Sequence, residues 1–463
     1  MSSIQTASTA DGRATRRVVA ASMVGNALEW YDFFLYGTAA ALVFNQLFFP
    51  GFDSLAGTIA AFGTYAAGFA ARPIGGLVFG HFGDRVGRRA VLVATVMLMG
   101  AATCLVGLLP TYDSIGVAAP ILLTALRILQ GIAVGGEWGG GVLLISENVD
   151  GRRRGMLAAL SQTGVGVGFV LSALVFALMT AVTSDAQFLA WGWRVPFLVG
   201  VLLMAAGLYI RLKVLETQAF TETRRREGTE KVPALEALRR HPRSVLVSFG
   251  ARIAENGGSY VFLVFVLAYA AEIGVSNGVA LTAVIVAMTL ESAAMPAWGA
   301  LSDRVGRRPV YIGGAVAMAL WAAPFFWLLD TQNTALVIVA VTVANAVCHG
   351  AMIGTQPSFF SELFGGGVRY SGVALGHEMA SVLAGGLSPI IATALLAWAG
   401  GWWPVACYLA ALAAVTVIAV VASEETAARD LVTMRDVHRG YPPDGPAPQA
   451  AGVGSRHPSA DPL

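Results

Sequence analysis

Gly80 to Val93 reads GHFGDRVGRRAVLV, and 219 positions later Leu301 to Ile312 reads LSDRVGRRPVYI. Asp84, Arg85, Arg88 and Arg89 in the first copy match Asp303, Arg304, Arg307 and Arg308 in the second. Such a repeat makes the chain a duplication. Each copy joins two apolar runs of about 25 residues, long enough to cross a bilayer as helices. The charged stretch therefore reads, in each half, as a short hairpin between two membrane spans, with Gly83, Gly87 and Gly306 allowing the tight turn. A basic loop on the inner side of a membrane would account for the arginines alone. It leaves the paired aspartate and the second copy unexplained.

Only 13% of the 463 residues are charged and 56% are hydrophobic, where a soluble domain carries about 25% charged residues. A polytopic membrane protein follows. All but four of the 30 Lys and Arg fall on one face of the resulting map: before the first helix, in the two repeated stretches, at Arg152 to Arg154, from Arg211 to Arg243, at Arg369 and in the tail. That face is expected to be cytoplasmic, with both termini inside and an even number of spans in the cell membrane. The other four, Arg72, Arg127, Arg194 and Arg252, sit in or at the edge of apolar runs, and Arg72, Arg127 and Arg252 become site candidates. Cys104, Cys348 and Cys407 lie inside apolar helices without disulfide or zinc-ligand spacing, so no metal is expected. Arg13, Arg16 and Arg17 precede no cleavage site, and the first helix is expected to be an uncleaved insertion signal.

The pattern predicts an all-α membrane protein of twelve transmembrane helices in two six-helix bundles. Residues 1–16 form a disordered N-terminus, 17–213 the first bundle, 214–243 a polar central linker, 244–422 the second bundle, and 423–463 a Pro- and Gly-rich disordered tail. Trp191 and Trp193 mark the outer interface before helix six. Ser146-Glu147 ahead of Arg152 to Gly155 is echoed by Ser361-Glu362 ahead of Arg369 to Gly372, at the end of the fourth helix of each half.

An ionisable side chain near the bilayer centre costs about 2.5–3.5 kcal/mol even on the mildest insertion scale, so it must face a cavity or a partner. In helix one, Glu29 and Asp32 stand at i and i+3 with Tyr36 a turn further. Two acids at that depth suggest a proton site, since desolvation and mutual repulsion favour the protonated form. The alternative is that buried cations neutralise both. In helix four, Arg127 and Gln130 share a face that Glu137 continues, and the surrounding glycines read as close helix packing, with no Gly-Lys-Ser/Thr to make a phosphate loop. Helix seven carries Arg252 and Glu255 at i and i+3, either a site or a self-satisfied pair. Glu291 stands by itself in helix eight, His349 lies in helix ten, and His377-Glu378 begins helix eleven. No nucleophile triad, metal cluster or nucleotide loop is present, so the chain is expected to be no enzyme and to need no cofactor.

In order, EWYDFFLYG (29–37), ARPIGGLVFGHFGDRVGRR (71–89), RILQGIAVGGEWGG (127–140), GWRVPFLVG (192–200) and SDRVGRRPV (302–310) resemble the metabolite:proton symporter family of the major facilitator superfamily. The resemblance spans about 20–422. It implies two bundles rocking about a mid-membrane site, a small-molecule substrate carried with protons, no nucleic-acid partner, and function as a monomer. Known members carry organic acids or zwitterions such as proline and betaine. The osmosensing carriers tend to have a long coiled-coil tail, from which this Pro-rich tail departs. The resemblance further implies a proton-coupling role for Arg127 and a gate in which Asp84, Arg85 and Arg88 engage Glu147, mirrored by Asp303, Arg304, Arg307, Glu362 and Arg369. The expected mechanism is carboxylate uptake, with Arg127 or Arg252 holding the anion and Glu29 or Asp32 the proton. A drug exporter would favour a greasier cavity and lack EWYDF. A non-transporting receptor on the same fold would have little need of two buried acids.

Overall fold

A computed structural model describes residues 23–24, 26–86, 88–135, 153–214, 239, 241–364 and 369–427, with backbone alone at 76–77, 80–86, 88–92, 203, 206–214, 369–371 and 374. Residues 1–16, most of the expected 214–243 linker and the tail beyond Ala427 lie outside these. Twelve long helices run through the described residues. The first half holds α1 (26–48), α2 (Ser54–Val86), α3 (Arg88–Leu108), α4 (Ala118–Val134), α5 (Arg154–Val182) and α6 (Val195–Val214). The second holds α7 (Pro242–Glu272), α8 (Asn277–Val305), α9 (Arg307–Asp330), α10 (Thr334–Glu362), α11 (369–399) and α12 (Trp403–Val421). Eight are long and apolar enough to cross a membrane by length and composition, and three shorter apolar stretches fall in α3, α4 and α6. Outward faces carry large apolar side chains, Leu202, Leu320, Trp398 and Ile418 among them, as a lipid-facing surface requires.

The expected hairpins are shorter than hydropathy suggested. Helix α8 continues through Asp303, Arg304 and Val305, and α9 restarts at Arg307, leaving Gly306 as the hinge at φ 104°. The first copy has the same backbone plan, α2 reaching Val86 and α3 starting at Arg88. Arginine is a good helix former, so the apolar run marks where the membrane ends and not where the helix does. Trp193, expected as an interface anchor beside Trp191, is instead buried against Phe44, Phe48 and Phe197.

The two halves meet along two equivalent seams, α5 against α8 and α2 against α11. Small residues make the first seam close: a Cβ on Gly155 would fall 2.5 Å from the Gly299 carbonyl, and one on Gly166 would collide with Ser292. Among the described residues four π-helical segments interrupt the spans, Ala40–Phe44 in α1, Val261–Phe265 in α7, Val343–His349 in α10 and Ser381–Gly386 in α11. Such bulges re-aim side chains and gather at functional positions. Two of them recur at corresponding places, in the first helix of each half. Helix α7 is the most enclosed span, 94% of its apolar window being buried. Without a lipid-facing stripe it can carry Arg252, Glu255 and Asn256.

Candidate functional site

The α5–α8 seam is held shut at the end carrying the second charged repeat. Helix α5 begins at Arg154, and its exposed amides meet an acid from the other half: Gly155 N–H and Met156 N–H donate to Asp303 at 2.8 and 3.0 Å. A carboxylate at a helix N-terminus meets both free donors and the positive end of the helix dipole. Arg307 donates to Asp303 at 2.7 Å and to Glu362 at 3.1 and 3.2 Å, while Arg154 of the first half reaches Glu362 at 3.2 Å. Of the anticipated second latch, Asp303, Arg307 and Glu362 are thus brought together. Arg304 is exposed and contributes none of these bonds. For Arg369, Asp84, Arg85 and Arg88 only the backbone is described, and Glu137 and Glu147 fall outside the described residues, so the first latch is not seen.

Sequence reasoning missed three latch members. Arg154 carried no signal beyond its charge, and the start of the expected disordered tail is packed into the latch. Glu425 accepts from the backbone of Arg307 at 2.8 Å and of Arg308 at 3.1 Å, and Thr426 donates to Glu362 at 2.8 Å.

Deeper in the first half, Asp32 on α1 accepts from Thr103 on α3 and from Gln130 on α4, the latter at 3.1 and 3.2 Å. Arg127 stands 3.8 Å from Asp32 and donates to Gln130 at 3.2 Å. Its guanidinium is boxed by Phe33, Tyr36 and Tyr65, with ring centroids 4.4–4.8 Å away. Tyr36 bonds Thr64 at 2.6 Å and does not reach Asp32. The helices come this close because Gly131 faces Gly68, whose carbonyl a Cβ would strike at 2.0 Å.

Glu29, one turn away from Asp32, belongs to a different group. It stands 3.8 Å from Arg72 on α2, which crosses to the second half and pairs with Glu378 on α11 at 2.8 and 3.1 Å. His377 lies 3.1 Å from Glu378. The pair sits well inside α11 rather than at its start, since that helix begins at 369.

The third group fills the second half. Arg252 donates from Nη1 to Glu255 at 2.9 Å and to Gln356 at 2.7 Å, and from Nε to Ser381 at 3.3 Å. Gln356 also donates to Glu255 and to the Tyr311 hydroxyl, each at 3.1 Å. Glu291 is not solitary as its sequence position suggested: it contacts His349, whose other ring nitrogen is 3.4 Å from Glu255. That pairing spans α8 and α10, a relation no local pattern encodes. Every ionisable member of these three groups except Glu378 is no more than 3% exposed.

Between the halves lies a cavity of about 20 Å³ walled by Trp30 and Phe34, Gln162, Arg252, Asn256 and His349, with Glu255 and Tyr260 also lining it. One water needs about 10–15 Å³ on this measure, so the cavity admits a water and no organic solute. The halves are closed around it. Of the three candidate arginines only Arg252 lines this space; Arg127 is behind its aromatic box and Arg72 is held between Glu29 and Glu378.

The model for the Major Facilitator Superfamily matches residues 22–376 and 247–436. The chain belongs to the major facilitator superfamily. The shikimate transporter of Escherichia coli is 42% identical over 401 residues, covering 86% of this chain and 91% of that protein. The proline/betaine transporter of the same organism is 36% identical over 434 residues, covering 91% and 85%. These are the relatives its motifs resemble. Among solved structures, the E. coli xylose transporter XylE in a partially occluded inward-open conformation superposes with TM-score 0.65 at 18% identity, covering 90% of this chain and all of that one, a likeness of fold. This major facilitator chain is a membrane-embedded transporter of small molecules and not an enzyme.

Proposed function

We propose that this transporter imports a small organic acid together with a proton by alternating access, in the cell membrane, with both termini in the cytoplasm. The reading rests above all on Arg252, the one candidate arginine that lines the central cavity. A planar fork binds a carboxylate through two parallel bonds, and the substrate anion takes the place that Glu255 holds in the closed protein. The likeness to a shikimate transporter supports an acid as cargo. Asp32, with Arg127 and Gln130 beside it and away from the cavity, is the proton carrier in this scheme. A substrate anion and a proton favour each other's entry into a space that already holds ionised acids, and the coupling is reciprocal. The bundles 17–213 and 244–422 move about the α5–α8 and α2–α11 seams, joined by the 214–243 linker, within one monomer.

The test is uptake of radiolabelled shikimate into vesicles containing the full chain, with acid outside, with and without a protonophore. Accumulation abolished by the protonophore is expected. Arg252→Lys should weaken half-saturation at least tenfold, about 1.4 kcal/mol, because a point charge lacks the fork. Accumulation that ignores the protonophore removes proton symport.

A second reading has its own observation. Trp30, Phe34 and Tyr260 line the same cavity, and aromatic faces attract quaternary ammonium groups. Together with the proline/betaine relatives, this favours a zwitterion whose carboxylate meets Arg252. Competition of shikimate uptake by betaine, and by a simple carboxylate without a cation, separates the two.

A further inference from the structure

Two titratable groups of the second half, His349 and Glu291, have no part in that scheme, and Glu255 enters it only as the acid the substrate displaces from Arg252. His349 closes the π-helical segment of α10 with its ring between two carboxylates: Nδ1 contacts Glu291 of α8, and Nε2 is 3.4 Å from Glu255 of α7. A neutral imidazole offers one N–H and one lone pair. With an acid at each nitrogen, the lone pair would face an anion unless a second proton sits on the ring or on a carboxyl. The arrangement therefore calls for one proton more than a neutral histidine between two carboxylates, with Nε2 near Glu255 but not hydrogen-bonded to it in this state.

The surroundings make that proton matter. Helix α7 adds Arg252, bonded to Glu255. Helix α9 adds Tyr311 through Gln356 of α10. Helix α11 adds Ser381 against Arg252, with His377 and Glu378 beyond it, and α5 adds only the amide of Gln162 along the cavity wall. With the extra proton, Arg252, Glu255, His349 and Glu291 are formally neutral together; without it they carry a net negative charge in a space that admits about one water. Glu255 and His349 line the cavity while Glu291 lies behind them, so the trio leads from the cavity into the bundle.

We propose that Glu255, His349 and Glu291 form a second proton-carrying site, in the second half, loaded when an anion occupies Arg252. This rests on the reading of Arg252 as the substrate's anchor. When a carboxylate takes the Arg252 fork, the Arg252–Glu255 pair breaks. The Nε2–H of His349 transfers to Glu255, forming its O–H, and the ring regains a proton from water on the open side. Release on the other side runs the steps backward: the ring gives one proton to water, Glu255 returns its proton to the freed Nε2 of His349, and the anion leaves as the Glu255 carboxylate pairs again with Arg252. A cycle then moves a proton through each half.

Two measurements on the full chain in lipid bilayers test this. In isotope-labelled histidine NMR without substrate, His349, assigned by the signal missing in His349→Gln, should carry protons on both ring nitrogens at neutral pH. Glu291→Gln should lower the pH at which the second is lost. A single N–H there, with both carboxyls ionised, overturns the proposal. Proton-to-shikimate ratios, read from the pH gradient that halts net flux, should be about two and fall to about one in Glu291→Gln. An unchanged ratio in an active Glu291→Gln also overturns it. Absence of shikimate transport alongside a doubly protonated His349 counts against the substrate reading alone, and the NMR result still supports the proton site.

Discussion

Replacing Gly155 by alanine should push this transporter away from the closed state. A Cβ there would fall 2.4 Å from Arg307 Nη1, 2.5 Å from the Gly299 carbonyl and 2.7 Å from an Asp303 oxygen. The carbonyl contact is about 0.9 Å inside the 3.4 Å at which ordinary van der Waals contact begins, and a backbone atom cannot rotate away. Helices α5 and α8 must part at their tightest crossing, where the mirrored Cβ on Gly299 would meet the Gly155 carbonyl at 2.5 Å. Overpacking of this kind costs about 1–3 kcal/mol. That cost is confined to the conformation in which the two helices touch, so it converts to a shift of roughly 5–150-fold toward the state open at this end. Spin labels at Arg153 and Val305, both exposed, in a background with Cys104, Cys348 and Cys407 replaced by serine, report the separation by pulsed electron resonance. Gly155→Ala should transfer population from the short to the long distance. An unchanged distribution in a well-folded variant would refute the claim that this crossing sets the closed state.

Asp32→Asn should retain shikimate exchange across the membrane yet lose accumulation driven by a pH gradient, since asparagine mimics a permanently protonated carboxyl; a variant that still concentrates substrate would move the proton elsewhere. Glu378→Gln leaves Arg72 with Glu29 at 3.8 Å as its remaining ion pair, and loss of one partner from a buried pair costs about 3–5 kcal/mol. Uptake should fall at least tenfold at unchanged protein level, with Glu378→Asp recovering part, and normal uptake would show that Glu29 alone suffices. Burial would push the Glu425 carboxyl up, but backbone N–H groups of Arg307, Arg308, Thr426 and Ala427 hold it below its ordinary 4.5. A depressed folded value adds stability above the unfolded value that is lost as pH falls through the folded one. Glu425→Gln should therefore lower the Tm at neutral pH by about 1–2 °C, and the gap to wild type should close in acid below 4.5; a gap that widens there would contradict the sign.

The duplication, the helical class and the number of spans were legible because the bilayer acts as a solvent with one strict demand. Each span must be apolar and satisfy its own backbone, and that demand is written locally in runs of residues. The same logic exposed Asp32, Arg127, Arg252, Glu255 and Glu291 as exceptions to apolar spans. The Arg252–Glu255 pair within one helix was legible too, but partners on other helices were not. Arg72 meets Glu378 across 306 positions, Glu291 meets His349 across 58, and Arg154 and Glu425, from different halves of the chain, complete one latch. Nor did any pattern separate Glu29 from Asp32: the two are three residues apart on one helix, yet one joins the bridge between the halves and the other the cluster inside the first. A buried charge is neutralised by whatever stands within a few ångströms of it. Those neighbours are set by how glycine-lined helices cross, which the order of residues along any one helix does not contain.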